Sequence, residues 1–513
     1  MSSTGGLLPT RVTRFWWLIP ILAFLSLASW SVASPVGATP DEDFHLASIW
    51  CGLGERAGIC EAAPKDGAER AGWRKVPEDL LGPSSKCFAS KPDVSADCQR
   101  NGYGVGSPLA ATDRGNFSGH LYPPVFYAVM SVFVTPSVDT SVVLMRLFNS
   151  LLFVGLMTSL WCLLPRSRRR TLVWAAAVTT VPLGIFLVAS INPSGWAVLS
   201  AATLWLALLG FYESEGRQRW GLGAVAVLSA VIGAGARSDG AVFAVIAVGV
   251  AMLLAFRRDR RFMIASILPV VLVVFAAIMY KLGSQSGAST TGLSATTPPT
   301  ADVIRELVYR DLPNIAQLWI GPFGLSNLGW LDTEIPASVW VAGFALFAIS
   351  IAVGLTSRSP RKLIALLTVT VAAVVFPLVL LVQTGVMVGS YFQPRYLLPL
   401  LVMVAGISLF EVRAPMSSPS RFHIGVAIAI LSSGNAISLY ANLRRYITGT
   451  DVVALNLNAN VEWWWAGAPG PMFLWAAAVA LYTATMIGIA VPLWNRAVAL
   501  TERDVPRPSV PAA

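Results

Sequence analysis

The chain has 513 residues, 55% of them hydrophobic and 12% charged, with a formal net charge of +10 and a mean hydropathy of +0.64. That is about half the charge density of soluble domains, so a soluble multidomain enzyme is excluded and an integral membrane protein is left. The basic excess does not indicate a nucleic-acid partner, because Lys and Arg are scattered through short loops between apolar runs rather than gathered in one patch.

In chain order, a cytoplasmic N-terminus at 1–14 precedes the first apolar run, 15–34. A bilayer core of about 30 Å takes roughly 20 apolar residues per helix. Although SVASPVGA offers small residues for signal cleavage, the run is longer than a signal core and is read as an uncleaved first span. Further spans are expected at 138–164, 171–190, 194–212, 219–235, 239–256, 262–281, 338–355, 361–383, 395–411, 421–440 and 471–494, about twelve in all. The fold class is therefore an all-α polytopic membrane protein, with one transmembrane domain over 15–494 and a disordered cytoplasmic tail at 495–513. Short cytoplasmic connections should be rich in Lys and Arg. PRSRRR (165–170), RQR (217–219), RRDRR (257–261) and SRSPRK (357–362) all fall on one side of the alternation. Both termini then lie in the cytoplasm, and the long loops 35–137, 283–337 and 441–470 lie outside.

Cysteine usage agrees with this sidedness. Cys51, Cys60, Cys87 and Cys98 share the first outer loop, while Cys162 is alone in a helix. Four exoplasmic cysteines suit two disulfides, and of the three pairings Cys51–Cys60 with Cys87–Cys98 is favoured over the others and over zinc. The loop should form a small disulfide-pinned cap. Its end, HLYPPVFYAVMSVFV (120–134), is too short and Pro-broken to span, and 301–318 has helical apolar spacing; both are expected to lie at the interface. No Walker loop, CxxC pair or HExxH motif is present, and no internal repeat supports an inverted-repeat transporter.

The candidate chemistry sits on the outer face. Asp41, Glu42 and Asp43 follow the first span, with His45 one turn on. Pro40 and three acids can start a helix and complement its dipole. They can equally supply a general base, or a carboxylate for a divalent cation (Mg, Mn or Ca) on Asp41 or Asp43. INPSGW sets Asn192 as a helix cap; GARSDG carries Arg237 and Asp239; GSYFQPRYLLP carries Gln393, Arg395 and Tyr396. Helix N-termini beside arginines bind phosphate or pyrophosphate. In LWIGPFGLSNLGWLDTEIP, Trp330 and Asp332 accompany belt aromatics that can stack on a sugar or an isoprenoid. Tyr122 belongs to YPPVFY.

PDEDFH, YPPVFY, NPSG, RSDG, FGLSNLGWLDTEIP and RYLLP, in this order over about residues 15–440, resemble the bacterial membrane-protein family known as domain of unknown function 2142. That family resembles the GT-C glycosyltransferases, multi-helix enzymes with an Asp or Asp-Glu in the first outer loop and polyprenyl-phosphate-linked sugars as donors. The resemblance assigns the acidic motif to Asp41 and Glu42, with Asp43 as neighbour, and gives the arginines no role. Gln-Pro stands before RYLLP where Gln-Gly is expected.

The implied function is transfer of a sugar from a polyprenyl-phosphate donor to an envelope glycan or glycolipid acceptor, at the extracytoplasmic face of the bacterial plasma membrane. Asp41, Glu42 and Asp43 would be catalytic. His45, Tyr122, Asn192, Arg237, Asp239, Trp330, Asp332, Gln393, Arg395 and Tyr396 would bind substrate. The alternative is a lipid-linked saccharide flippase or exporter, which needs charges lining a path inside the helices. Such charges are scarce here, Arg146 being an exception.

Overall fold

The computed structural model describes residues 16–63, 72–81, 86–103, 106–117, 121–284, 300–389, 392–410 and 420–501. The expected N-terminal segment 1–14 and residues 502–513 of the expected tail 495–513 lie outside these residues, and residues 495–501 are helical rather than disordered.

The membrane part is built from α1 (Leu18–Ser31), α4 (Val138–Leu163), α5 (Arg166–Thr179), α6 (Pro182–Val188), α7 (Pro193–Glu213), α8 (Gly216–Ala236), α9 (Ser238–Ala255), α10 (Arg260–Ala265), α11 (Ile267–Leu282), α14 (Ala337–Gly354), α15 (Pro360–Thr384), α16 (Leu398–Ser408), α17 (Arg421–Ile447) and α18 (Pro471–Thr501). The outer segments between them hold α2 (Glu42–Trp50), α3 (Val125–Met130), α12 (Ala301–Asp311) and α13 (Ile315–Ile320). Helix starts follow local chemistry. Ser137 accepts from the Thr140 N–H at 3.3 Å, Asn192 from Ser194 at 2.9 Å and Ser359 from Lys362 at 3.2 Å. Pro193 and Pro360 sit in first helical positions, where no N–H is needed.

Among the described residues, nine helices are long and apolar enough to cross a membrane, or ten if α5 and α6 form one broken span. The other expected runs take different forms. Run 171–190 breaks before Pro182 and turns by 99° between α5 and α6. Freed backbone groups at such a break must find partners in the protein; the Val181 carbonyl accepts from the Ile185 N–H at 3.1 Å. Run 395–411 shortens to α16, whose residues are all buried among α5, α7, α14 and α15. Run 15–34 shortens to the fourteen residues of α1.

The central helix is α7, buried along nearly all its length and packed on α8 and α9. Lipid tails are as apolar as leucine, so close packing of small residues, not exclusion of apolar surface from water, holds such helices together. Gly240 illustrates this: a Cβ there would stand 2.3 Å from the Gly233 carbonyl oxygen of α8.

The first outer loop is a folded cap, as the cysteines suggested. Cys51 is bonded to Cys60 and Cys87 to Cys98. Strands β1 (Glu61–Ala62), β2 (Arg74–Pro77) and β3 (Leu109–Thr112) form an antiparallel sheet in that order. Segment 120–134 supplies the short α3, packed on α2 and α8. In α12 an apolar edge with Val303, Ile304 and Tyr309 exposed matches the expected surface helix. The basic loops gather at one end of the bundle, where Arg168 bonds Glu213 at 2.7 Å and Arg361 donates to the Phe256 carbonyl at 2.8 Å. The acidic motif is at the other end.

Candidate functional site

The three consecutive carboxylates are placed in three different environments. Asp41 has a left-handed backbone, φ 61°, a conformation that Asp tolerates better than most residues. It precedes α2, and its side chain caps nothing. Glu42 then turns inward and is fully buried. Its Oε1 accepts from Arg146 Nη2 at 3.0 Å, and its Oε2 from the Thr39 N–H at 2.8 Å and the Thr39 hydroxyl at 2.7 Å. Arg146 also donates to the Ser34 and Pro35 carbonyls at 2.6 and 2.7 Å. This buried charged pair therefore fixes the exit from α1. Asp43 is buried between Lys86 and Arg114, which bonds it in bidentate fashion, one arm at 2.9 Å.

Asp41 alone of the three keeps a solvent-open side chain, 41% exposed. Its Oδ2 accepts from Arg395 Nη2 at 2.7 Å, and Arg114 stands 3.8 Å from Oδ1. Burial pushes its carboxyl up, but Arg395, and more weakly Arg114, outweigh it and hold the group below the usual carboxylate value. Burial likewise raises Asp43, and its bonds to Arg114 and Lys86 bring it down.

Arg395 opens a layered cluster. Its guanidinium lies 5.0 Å from the Tyr396 ring and donates to the Tyr396 hydroxyl at 3.0 Å. Arg237 lies 4.8 Å from the same ring and 5.6 Å from Tyr122. Asp239 holds Arg237 by two bonds of 2.8 Å. The Tyr122 ring meets His45 edge-on at 5.4 Å, and His45 Nδ1 shares a hydrogen bond of 3.0 Å with the Tyr127 hydroxyl. Burial drives the His45 imidazole down to about 3, so it is neutral at ordinary pH. Asn192, besides capping α7, donates to the Pro40 carbonyl at 3.2 Å, and Arg395 reaches that same carbonyl at 3.3 Å. Starts of α7 and α16 and the α8–α9 hairpin thus converge on the turn that carries Asp41. Gln393 precedes the short 3-10 turn of Arg395 and is half-buried.

Two candidates are elsewhere. Asp332 accepts from Arg445 at 2.7 Å and from the Ser90 N–H at 2.9 Å, while Arg445 donates to the Phe88 and Val94 carbonyls, both at 2.6 Å. This clamp ties the Cys87–Cys98 loop to α17. Trp330 donates to the Gly37 carbonyl at 2.8 Å, with Lys86 5.4 Å from its ring, so it supports the cap from outside. Sequence reasoning missed Lys86, Arg114 and Tyr127. Tyr127 lay inside the quoted YPPVFY. Lys86 and Arg114 stand 43 and 71 residues from Asp43, in stretches with no periodic pattern.

Among the described residues no group of three or more His, Cys, Asp or Glu could hold a metal ion, and Asp41 and Asp43 face cationic side chains.

A family model described as "Predicted membrane protein (DUF2142)" matches residues 24–404. The chain belongs to this family. No curated protein matches it by sequence. A solved structure, that of ArnT from Cupriavidus metallidurans bound to undecaprenyl phosphate, aligns with 98% of this chain and 81% of that one, at 13% identity and a TM-score of 0.39. A likeness that distant transfers neither residue nor ligand.

Proposed function

We propose that the protein is a membrane glycosyltransferase that moves a sugar from a polyprenyl-phosphate donor to an envelope glycan or glycolipid acceptor, at the outer face of the bacterial plasma membrane. One observation carries this reading: a solvent-open carboxylate, Asp41, is hydrogen-bonded to the first arginine of an Arg395–Tyr396–Arg237 stack. A base for a hydroxyl and cations for a phosphate are thereby adjacent. The donor class comes from the resemblance of the acidic first-loop motif to GT-C enzymes.

In the proposed reaction the donor phosphate binds at Arg395 and Arg237. Arg395 Nε is buried without a hydrogen-bond partner, a cost that an incoming phosphate oxygen would offset. Competition for Arg395 loosens its hold on Asp41 and restores basicity to the carboxylate. The acceptor hydroxyl gives its proton to Asp41 while its oxygen bonds to the anomeric carbon. The bond from that carbon to the phosphate oxygen breaks, and the electron pair leaves with polyprenyl phosphate, whose charge the arginines stabilise. Glu42 and Asp43 position the turn, and no metal enters a step. Tyr122 and Tyr396 face the two arginines and neutral His45 packs on Tyr122, Asp239 and Asn192 hold Arg237 and Pro40, and Trp330, Asp332 and Gln393 act through the cap and the Arg395 turn.

The test is label transfer by purified protein from pooled radiolabelled polyprenyl-phosphate sugars to envelope glycans, beside Arg395→Gln. Labelled glycan from the wild type and its loss in the variant support the enzyme. Movement of intact donor across proteoliposomes with no labelled glycan would instead support an exporter.

A further inference from the structure

At the end of the bundle opposite Asp41, a cleft of 1030 Å³ opens between the basic loops. Six arginines and three carboxylates line it, brought together from α5, the α7–α8 turn, the α9–α10 loop and the α14–α15 loop. Asymmetric loop charge alone orients a membrane protein, but it does not require four loops to surround one cavity. Like charges held around a cavity repel one another unless an anion joins them.

The acids present do not neutralise the cleft. Glu213 is bound to Arg168 at 2.7 Å, Glu215 is 3.8 Å from Arg261, and Asp259 caps its own helix through the Phe262 N–H at 2.6 Å. Among the described residues Arg219, Arg257, Arg358 and Arg361 form no ion pair with a carboxylate. Two of these are set on ring faces, Arg219 at 4.6 Å from Phe211 and Arg361 at 5.7 Å from Phe256, an arrangement that orders a guanidinium without neutralising it. A second observation points to a ligand. Ser214, 7% exposed and lining the same cleft, has a hydroxyl oxygen with no hydrogen-bond partner.

We propose that this cleft binds a phosphate-bearing ligand among Arg257, Arg358, Arg361 and Ser214. Guanidinium groups suit the geometry and charge of phosphate oxygens. The ligand is either an anionic phospholipid headgroup, which the membrane boundary supplies, or a soluble phosphate ester.

Native mass spectrometry of the full-length protein in detergent, titrated with phosphatidylglycerol and challenged with inorganic phosphate, tests the proposal. Arg257→Gln with Arg358→Gln is compared with Arg166→Gln plus Arg217→Gln, which removes equal charge near the same end but no cleft residue. The cleft pair should weaken binding about tenfold or more and the control pair about twofold or less, since the cleft arginines would donate charged hydrogen bonds to the phosphate and the control arginines line no part of the cleft. Displacement of the lipid by millimolar phosphate identifies the site with a soluble ester; lipid retained against phosphate identifies it with the headgroup. Equal weakening in both pairs, no weakening in the cleft pair, or no saturable binding of either probe overturns the site.

Discussion

A carboxylate that acts on a substrate must keep a face open to it, and this condition separates Asp41 from its neighbours. Glu42 spends both oxygens on Arg146 and Thr39. Removing one partner of such a pair leaves a buried charge uncompensated and costs about 3–5 kcal/mol. Glu42→Gln should therefore lower thermal stability and folded yield more than Asp41→Asn, because Glu42 and Arg146 are both buried whereas Asp41 keeps one face open to solvent; fluorescence-detected melting in detergent distinguishes them. The neutral His45 makes a pH prediction. Its folded value is about 3 against an ordinary 6.5, so below pH 6.5 the unfolded chain binds a proton that the folded one refuses. Stability is complete above pH 6.5 and falls toward pH 3, by at most about 1.4 kcal/mol per pH unit. His45→Asn should flatten that slope in melts run from pH 7.5 to 5. Asp41 and Asp43 act lower down: with folded values below 3.8, they stabilise above pH 3.8, and that contribution is lost only as the pH falls through those lowered values. In the sequence the three acids are equivalent, and nothing local reveals that Arg146, Arg114 and Arg395 divide them, because those partners lie 104, 71 and 354 residues away.

The elements were legible where one physical rule decides them. Apolar length marked the nine long helices, and spacing in an exoplasmic loop marked both disulfides. The break between α5 and α6 and the short α16 escaped because hydropathy measures apolarity, not continuity. Residues around Pro182 and Leu398 are as apolar as any span yet are enclosed by other helices. Two predictions belong here. Gly240→Ala pushes a methyl into the Gly233 carbonyl and should cost about 1–3 kcal/mol. It should also spread the α8–α9 hairpin that presents Arg237 and Asp239, so donor affinity and melting temperature fall together. Opening Cys87–Cys98 with paired serines removes a link of 11 residues, worth about 2–4 kcal/mol. Lys86 adjoins that link, so the cap should loosen around Asp43, read as faster hydrogen exchange in α2.

At the scale of the molecule, the basic loops and the acidic turn occupy opposite ends of the same helices. Cys162 is free and exposed at the basic end. An impermeant maleimide should label it in inverted vesicles and spare it in intact cells; the reverse pattern would invert the assigned orientation. Catalysis by Asp41 is read from single-turnover transfer of labelled sugar from a polyprenyl-phosphate donor to an envelope glycan. Wild type and Asp41→Asn should be compared at equal folded concentration. Catalysis by Asp41 requires product from the wild type and a loss of about 10²–10⁴-fold in the variant, as for removal of a general base. Equal transfer by the two proteins would contradict it.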